Sequence, residues 1–187
     1  MSNTKRLNIK KTLFSGLCII KRKKIKDDRG FLTRVFCTSE LKKILKKEKI
    51  RQVNHTFTLK KGTVRGLHFQ YPPSDEIKIV TCIKGKILDV VVDLRKNSPT
   101  FLRHYKIILS ESNCISILIP GGFAHGFQTL KSNTEVLYLH SKDFNPIKEG
   151  GINAIDPKLK IKWPMIISKR SKKDEQIPIL DLKYNGI

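Results

Sequence analysis

Hydrophobic and polar residues alternate along much of the chain, as they do in half-buried β-strands. The clearest case is segment 86–94, where the apolar positions are Leu88, Val90, Val92 and Leu94 and the intervening acidic positions are Asp89 and Asp93. Other strands are predicted at Arg51–Leu59, Thr63–Phe69, Ile77–Ile83, Tyr105–Leu109, Ile115–Ile119 and Thr134–Leu139. Many short strands separated by turn formers are typical of an antiparallel barrel or sandwich.

One longer helix is predicted at Ser39–Lys49, with Ser39 as its N-cap. Its apolar stripe consists of Leu41, Ile44 and Leu45. After Asp156 the prolines disfavour long regular elements, so we expect loops and a short helix packed on the barrel.

Length and hydropathy favour one domain without a membrane span. The 187 residues suit a single core, and no apolar stretch approaches the roughly 20 residues that cross a bilayer. Segment 13–20 is interrupted by Ser15 and Gly16 and does not resemble a signal peptide. A cytoplasmic protein with no membrane partner is therefore predicted.

The charge of +22 raises the question of a polyanionic partner. The lysines are spread along the whole chain and are not interleaved with aromatic residues, so nucleic-acid binding is not favoured. A small anionic substrate would use a few of them. The four cysteines are far apart, which argues against both a disulfide framework and a zinc site.

Several polar residues interrupt the apolar strand patterns. Gln52, Asn54 and Thr56 share one face, which either lines the barrel and binds a ligand or belongs to an ordinary edge strand. Arg65 and His68 would point to opposite faces by strict alternation, unless Gly66 forms a bulge.

Four other positions have both a structural and a chemical interpretation. His68 is either a structural histidine or a base, and metal binding is disfavoured because no second histidine follows it in an HxH pair. Lys78 either extends to solvent or binds an oxyanion. Tyr138 is a core aromatic or a phenolic acid, and Asp174 is a surface residue unless a partner is found for it. Residues 120–127 are interpreted as a tight glycine-rich turn that carries His125.

Six segments together resemble the dTDP-4-dehydrorhamnose 3,5-epimerase family. They are DRGF at 28–31, QVNH at 52–55, RGLHFQ at 65–70, VVDLR at 91–95, IPGGFAHGF at 119–127 and IKWP at 161–164. The resemblance extends from about Leu13 to Leu180, in the order and spacing of the family. Residues 1–12 are then an N-terminal extension of a single epimerase domain spanning 1–187.

The resemblance implies an all-β, cupin-type double-stranded antiparallel β-barrel, or jelly roll, with a few short peripheral helices. It also implies a homodimeric isomerase that inverts C3 and C5 of a nucleotide-linked 4-keto-6-deoxyhexose without a cofactor or metal. His68 would be the base, Asp174 its partner, Lys78 the enolate-stabilising cation and Tyr138 the acid. Substrate-binding positions would be Arg29, Gln52, Asn54, Arg65, His125, Glu149 and Lys173.

Two departures from the family pattern concern the substrate. Arg34 stands where a glutamate is common, and Ser74-Asp75 replaces the usual His-Ala before the lysine. Two alternatives follow: a related enzyme that inverts one carbon, isomerises the ketone or uses another nucleotide, and a non-enzymatic barrel that binds sugar or nucleic acid. The combination of His68 with Tyr138 favours inversion over ketone migration.

Overall fold

Two antiparallel sheets form the body of the protein in the computed structural model, which describes residues 5–187. In chain order the strands are β1 (Leu7–Lys11), β2 (Cys18–Arg22), β3 (Lys24–Asp27), β4 (Gly30–Thr33), β5 (Gln52–Thr58), β6 (Val64–Gln70), β7 (Lys78–Lys84), β8 (Lys86–Asp93), β9 (His104–Ser110), β10 (Ile115–Ile119), β11 (Phe123–Thr129), β12 (Thr134–His140) and β13 (Glu149–Gly151). The helices are α1 (Thr38–Leu45) and α2 (Lys172–Glu175).

The first sheet has the order β1-β2-β10-β7-β12-β5 and the second has β13-β6-β11-β8-β9. Strands β3 and β4 form a separate hairpin. Two facing antiparallel sheets and two short helices confirm the predicted all-β jelly roll.

Apolar side chains pack both between the sheets and on their outer faces. Val91, Phe127 and Val136 belong to the cluster between the sheets. On β8 the alternate residues Val92 and Leu94 instead pack beneath the C-terminal segment. The strand is therefore buried on both sides, and its aspartates face the interior of the barrel, where each needs a partner.

Helix α1 covers the outer face of the first sheet, with Leu41 and Leu45 buried and Ile44 packed beside them. This confirms the predicted stripe, but the helix is shorter than predicted and ends at Leu45. The assignment of Ser39 as N-cap is wrong. Cys37 occupies the cap without a side-chain hydrogen bond, and the first turn instead contains Glu40, which accepts from the N–H groups of Arg6 and Leu7.

The interpretation of residues 120–127 as a turn is wrong beyond Gly122. Phe123–Thr129 form the central strand β11, all of it buried between β6 and β8. Its glycine lies where the neighbouring backbone comes close: a Cβ on Gly126 would meet the Arg65 carbonyl oxygen at 2.5 Å. Glycine thus permits strand packing here rather than a turn.

The two ends of the chain pack on the sheets. The predicted N-terminal extension comprises residues 1–12. Within it, strand β1 pairs with β2, and residues 1–4 lie outside the described part of the chain. The region after Asp156 consists of loops and α2, as predicted. Across residues 5–187, no helix combines the length and apolarity needed to cross a bilayer.

Candidate active site

A cavity of about 630 Å³ opens between the two sheets. Strands β5, β7 and β12 form one wall, β6 and β11 form the other, and α2 closes one side. Ten of the eleven predicted site residues line it: Gln52, Asn54, Arg65, His68, Lys78, His125, Tyr138, Glu149, Lys173 and Asp174. The tertiary structure thus brings together residues from seven elements.

His68 and Asp174 form a hydrogen-bonded pair, with Nε2 and Oδ1 2.8 Å apart. The short helix α2 presents Asp174, whose N–H donates to the Ser171 cap hydroxyl. The Gly66 N–H donates to the other carboxylate oxygen at 3.2 Å. Burial alone would raise the pKa of Asp174, but the bond from His68 and the Gly66 N–H hold that pKa below its ordinary value.

A bulge in β6 places Arg65 and His68 on the same side of the strand. His125 pairs with His68 and Phe127 with Arg65, so three steps along β6 match two along β11. Gly66 lies at this irregularity with φ +107°, and a Cβ there would lie 2.6 Å from the His125 carbonyl oxygen. The conditional prediction of a bulge at Gly66 is confirmed, and only glycine fits the position.

Lys78 and Tyr138 line the cavity from the wall opposite His68. The Lys78 Nζ lies 3.0 Å from Glu76 Oε1 and donates to the His68 carbonyl oxygen at 3.4 Å. Burial, together with the charge of Asp89, raises the pKa of Tyr138 well above its ordinary value. The phenol is protonated at neutral pH, as a proton donor must be before it reacts, and the raised pKa makes its phenolate correspondingly basic.

The polar face of β5 lines the cavity, which decides between the two interpretations of Gln52, Asn54 and Thr56. Gln52 donates to Asn54 Oδ1 at 3.1 Å and accepts from the Phe144 N–H at 2.9 Å. Arg65 donates from Nε to Thr58 at 3.0 Å, which orients its guanidinium at the cavity.

A second histidine–carboxylate pair lies deeper in the barrel. His125 Nε2 is 2.8 Å from Asp89 Oδ2, and both side chains are almost completely buried. Asp89 was not among the predicted site residues. It could have been identified as an acidic residue within the otherwise apolar pattern of β8. Glu149 and Lys173 form an ion pair 2.5 Å long between β13 and α2.

Arg29 and Arg34 lie outside the cavity lining. Arg29 is at the turn of the β3–β4 hairpin, where its side chain is 84% exposed, pairs with Asp27 and does not line the cavity. Arg34 is paired with Glu40 of α1. The positive charge at position 34 is therefore partnered by a helix carboxylate of the same chain.

Sequence reasoning also missed Glu76 and His140, which line the cavity near Lys78 and Tyr138. Glu76 could have been suspected because it lies two residues before Lys78, at the start of a predicted apolar strand. Within residues 5–187, no group of three or more His, Cys, Asp or Glu side chains is arranged to hold a metal ion.

Comparison with known proteins identifies the family. The model for dTDP-4-dehydrorhamnose 3,5-epimerases matches residues 11–181. The chain belongs to this family. A dTDP-4-dehydrorhamnose 3,5-epimerase of Mycobacterium tuberculosis is 43% identical over 117 residues, an alignment that covers 63% of this chain and 57% of that protein.

Solved structures extend the similarity to nearly the full chain. An epimerase from Legionella pneumophila, in complex with dTDP-4-keto-L-rhamnose, has a TM-score of 0.88 and 35% identity, covering 95% of this chain and 94% of that one. A 3'-monoepimerase from Streptomyces bikiniensis, in complex with dTDP-quinovose, has a TM-score of 0.84 and 28% identity, covering 90% and 85%. The structures similar to this chain therefore include a 3,5-epimerase and a monoepimerase.

Proposed function

We propose that this epimerase-family protein inverts C3 and C5 of dTDP-4-dehydro-6-deoxyglucose to give dTDP-4-dehydrorhamnose, in the cytoplasm and as a step of dTDP-rhamnose biosynthesis. The observation that carries the proposal is the placement of the His68–Asp174 pair on one cavity wall and Tyr138 with Lys78 on the other. A base and an acid on opposite walls are what inversion of a carbon requires.

His68 begins the reaction as general base. Because Nε2 meets Asp174, Nδ1 is the ring nitrogen left to take a proton from the carbon beside the C4 ketone. The electron pair of the broken C–H bond forms a double bond from that carbon to C4, and the π electrons of the C=O bond move onto the oxygen, which becomes an enolate oxygen. The Lys78 ammonium stabilises this oxygen, a role worth about 3–4 kcal/mol.

Tyr138 completes the inversion by returning a proton to the other face of the same carbon. The enolate collapses to the ketone, the tyrosinate regains a proton from solvent, and the protonated His68 releases its proton to solvent. The same sequence at the second carbon on the other side of the ketone gives the doubly inverted sugar. No electrons are gained or lost overall, so we propose that no redox cofactor takes part. Because the Lys78 ammonium supplies the positive charge at the enolate oxygen, we propose that no metal takes part either.

We propose that Arg65, Gln52, Asn54, His125, Glu149 and Lys173 bind the nucleotide diphosphate and the sugar. Arg65 is suited to a bidentate phosphate contact. The nucleotide sugar is then the partner that explains the local positive charge, and neither nucleic acid nor a membrane is needed.

We propose a homodimer. The β3–β4 hairpin exposes Phe31 and Leu32. A second copy would cover these apolar residues and would give Arg29, which is remote from its own cavity, a route to the partner's substrate. Sedimentation equilibrium at micromolar concentration should give twice the chain mass.

One experiment separates the candidate functions. The purified protein is incubated with dTDP-4-dehydro-6-deoxyglucose in deuterated water, and the product is analysed by NMR. Deuterium at both C3 and C5 supports the proposal. Deuterium at one carbon indicates a mono-epimerase, the second candidate, which the similarity to the Streptomyces protein favours. No incorporation would support a binding protein or another substrate.

Treatment with a chelator tests whether the activity requires a metal ion. We expect full activity after treatment with EDTA and removal of the chelator by gel filtration. A loss that is restored by added divalent metal would contradict the metal-free proposal.

A further inference from the structure

Glu76 is a buried carboxylate that lies beside the catalytic groups without belonging to them. It lies just before β7, and its side chain is 5% exposed. Its Oε1 is 3.0 Å from Lys78 Nζ, and its Oε2 accepts from Gln70 Nε2 at 2.6 Å. The same Oε2 lies 3.6 Å from His140 Nδ1.

The carboxylate is charged in this environment. Burial alone would raise the pKa of Glu76, but His140 and Lys78 hold that pKa below its ordinary value. A buried charge persists only where partners replace its lost hydration, and here a cation, an amide and an imidazole do so.

Each oxygen of Glu76 leads to one catalytic side chain. Oε1 holds the Lys78 ammonium, which also reaches the His68 carbonyl oxygen and so lies between β7 and β6. Oε2 is next to His140, whose ring stacks on Tyr138 with centroids 5.9 Å apart and planes at 19°. One carboxylate therefore lies against both the cation and the ring on which the acid packs.

We propose that Glu76 is a positioning residue for the epimerisation, holding Lys78 where the enolate oxygen forms and, through His140, holding Tyr138 where it reprotonates the carbon. This inference rests on the proposed function. Glu76 touches no reacting atom; its effect is transmitted through the two side chains that do.

A merely structural role for this buried ion pair makes a different prediction. Loss of structural support lowers stability and the fraction of active protein, and it changes exchange and inversion equally. Loss of positioning lowers the rate of the bound complex, because an error of about 1 Å in a catalytic group costs on the order of 100-fold. It also changes the ratio of inversion to deuterium exchange, since only inversion depends on Tyr138.

The chain offers a matched control in Glu135. Its carboxylate also contacts one lysine and one histidine, Lys84 at 3.2 Å and His55 at 3.0 Å, but these residues do not line the cavity. Glu135→Gln removes the same charge from the same kind of triad, on the strand that carries Tyr138.

The test compares wild type, Glu76→Gln and Glu135→Gln with dTDP-4-dehydro-6-deoxyglucose in deuterated water. We expect Glu76→Gln to lower kcat by about 10- to 100-fold with KM changed by less than about threefold, and to lower inversion relative to exchange. Glu135→Gln should stay within about twofold of wild type. An unchanged kcat for Glu76→Gln, a loss confined to KM, an unchanged ratio or an equal loss in Glu135→Gln would each overturn the inference.

A second variant is used if the melting curve of Glu76→Gln shows that this variant does not fold. Glu76→Asp keeps the charge but withdraws it from Lys78 by one methylene, so the same fall in kcat at unchanged KM supports the inference and a wild-type kcat overturns it. Wild-type protein without any deuterium incorporation would overturn the proposed function, and the inference with it. If wild type incorporates deuterium and Glu76→Gln incorporates it equally fast, the inference is overturned and the proposed function stands.

Discussion

His68 and Asp174 are 106 residues apart in the chain, yet Nε2 of one lies 2.8 Å from Oδ1 of the other. The contact depends on two local features. The bulge at Gly66 turns His68 towards the cavity, and the Ser171 cap holds the first turn of α2, which presents Asp174. The resulting pair defines the tautomer of the proposed base.

Replacement of His68 by Asn should abolish proton exchange. An asparagine amide cannot accept a proton at neutral pH, so deuterium incorporation should fall by at least about 100-fold. NMR of the sugar protons measures the loss. His55→Asn is the control, because His55 lies on the outer face of β5 and pairs with Glu135. Substantial exchange in His68→Asn would refute the assignment of the base.

Replacement of Asp174 by Asn should preserve the shape of the site and lower kcat by about 100- to 10,000-fold. An amide can donate to Nε2 and so favour the wrong tautomer of His68. Circular dichroism should show an unchanged fold, with steady-state kinetics reporting the loss. Asp181→Asn, in the exposed C-terminal segment, serves as the control. A kcat close to that of wild type would mean that the pair is only structural.

Replacement of Tyr138 by Phe should impair inversion more than exchange. The variant keeps the ring that stacks on His140 but removes the acidic hydroxyl. His68 can still remove a proton and return deuterium to the same face, so exchange should survive while inversion falls by about 100-fold. Product analysis alongside exchange measures both. Tyr71→Phe is the control. Equal losses of exchange and inversion in Tyr138→Phe would contradict the role of the acid, and so would a Tyr138→Phe variant that behaves like Tyr71→Phe and loses neither.

Replacement of Gly66 by Ala should destabilise the fold and displace His68. The position combines φ +107° with an oxygen 2.6 Å from the added Cβ, so we expect a loss of more than about 2 kcal/mol. Urea unfolding measures it. Gly30→Ala is a matched control, since φ there is +136° but nothing lies within 4 Å of the added Cβ. Similar losses at both positions would show that the close contact is not what requires glycine.

Acid should destabilise the protein through Asp93. This buried carboxylate accepts hydrogen bonds from Arg95, Ser98 and Thr100. Burial alone would raise the pKa of Asp93, but these bonds lower it to about 2. Because the folded-state value lies below the unfolded one, its stabilisation is complete above about pH 5 and is lost as pH falls towards 2; it amounts to about 2 kcal/mol.

The comparison with Asp93→Asn isolates this contribution from those of other carboxylates. The variant should be less stable than wild type at pH 7, and the difference should shrink as pH falls from about 5 to 2. Urea unfolding at a series of pH values measures it. A difference that does not change with pH would contradict the depressed pKa.

Much of the strand pattern could be predicted from the sequence, because alternation reports which face of a strand is buried. Strand β11 could not, since Gly126, of a type common in turns, occurs where two backbones come together in the tertiary structure. The end of α1 was also misplaced, because Leu45 is its last residue against the sheet and the lysines beyond it have no packing partner to extend the helix.

The candidate site divides in the same way. The sequence by itself determined the residue types at the site and, through six segments, the family resemblance. Only the tertiary structure decided that Asp174 reaches His68, that the polar face of β5 lines the cavity, and that Arg29 lies away from it in one subunit. It also decided that Glu76 lies between Lys78 and His140. The physical reason is that alternation assigns a side chain to one face of its own strand, whereas contacts between strands depend on sheet order, register and a bulge set by long-range packing.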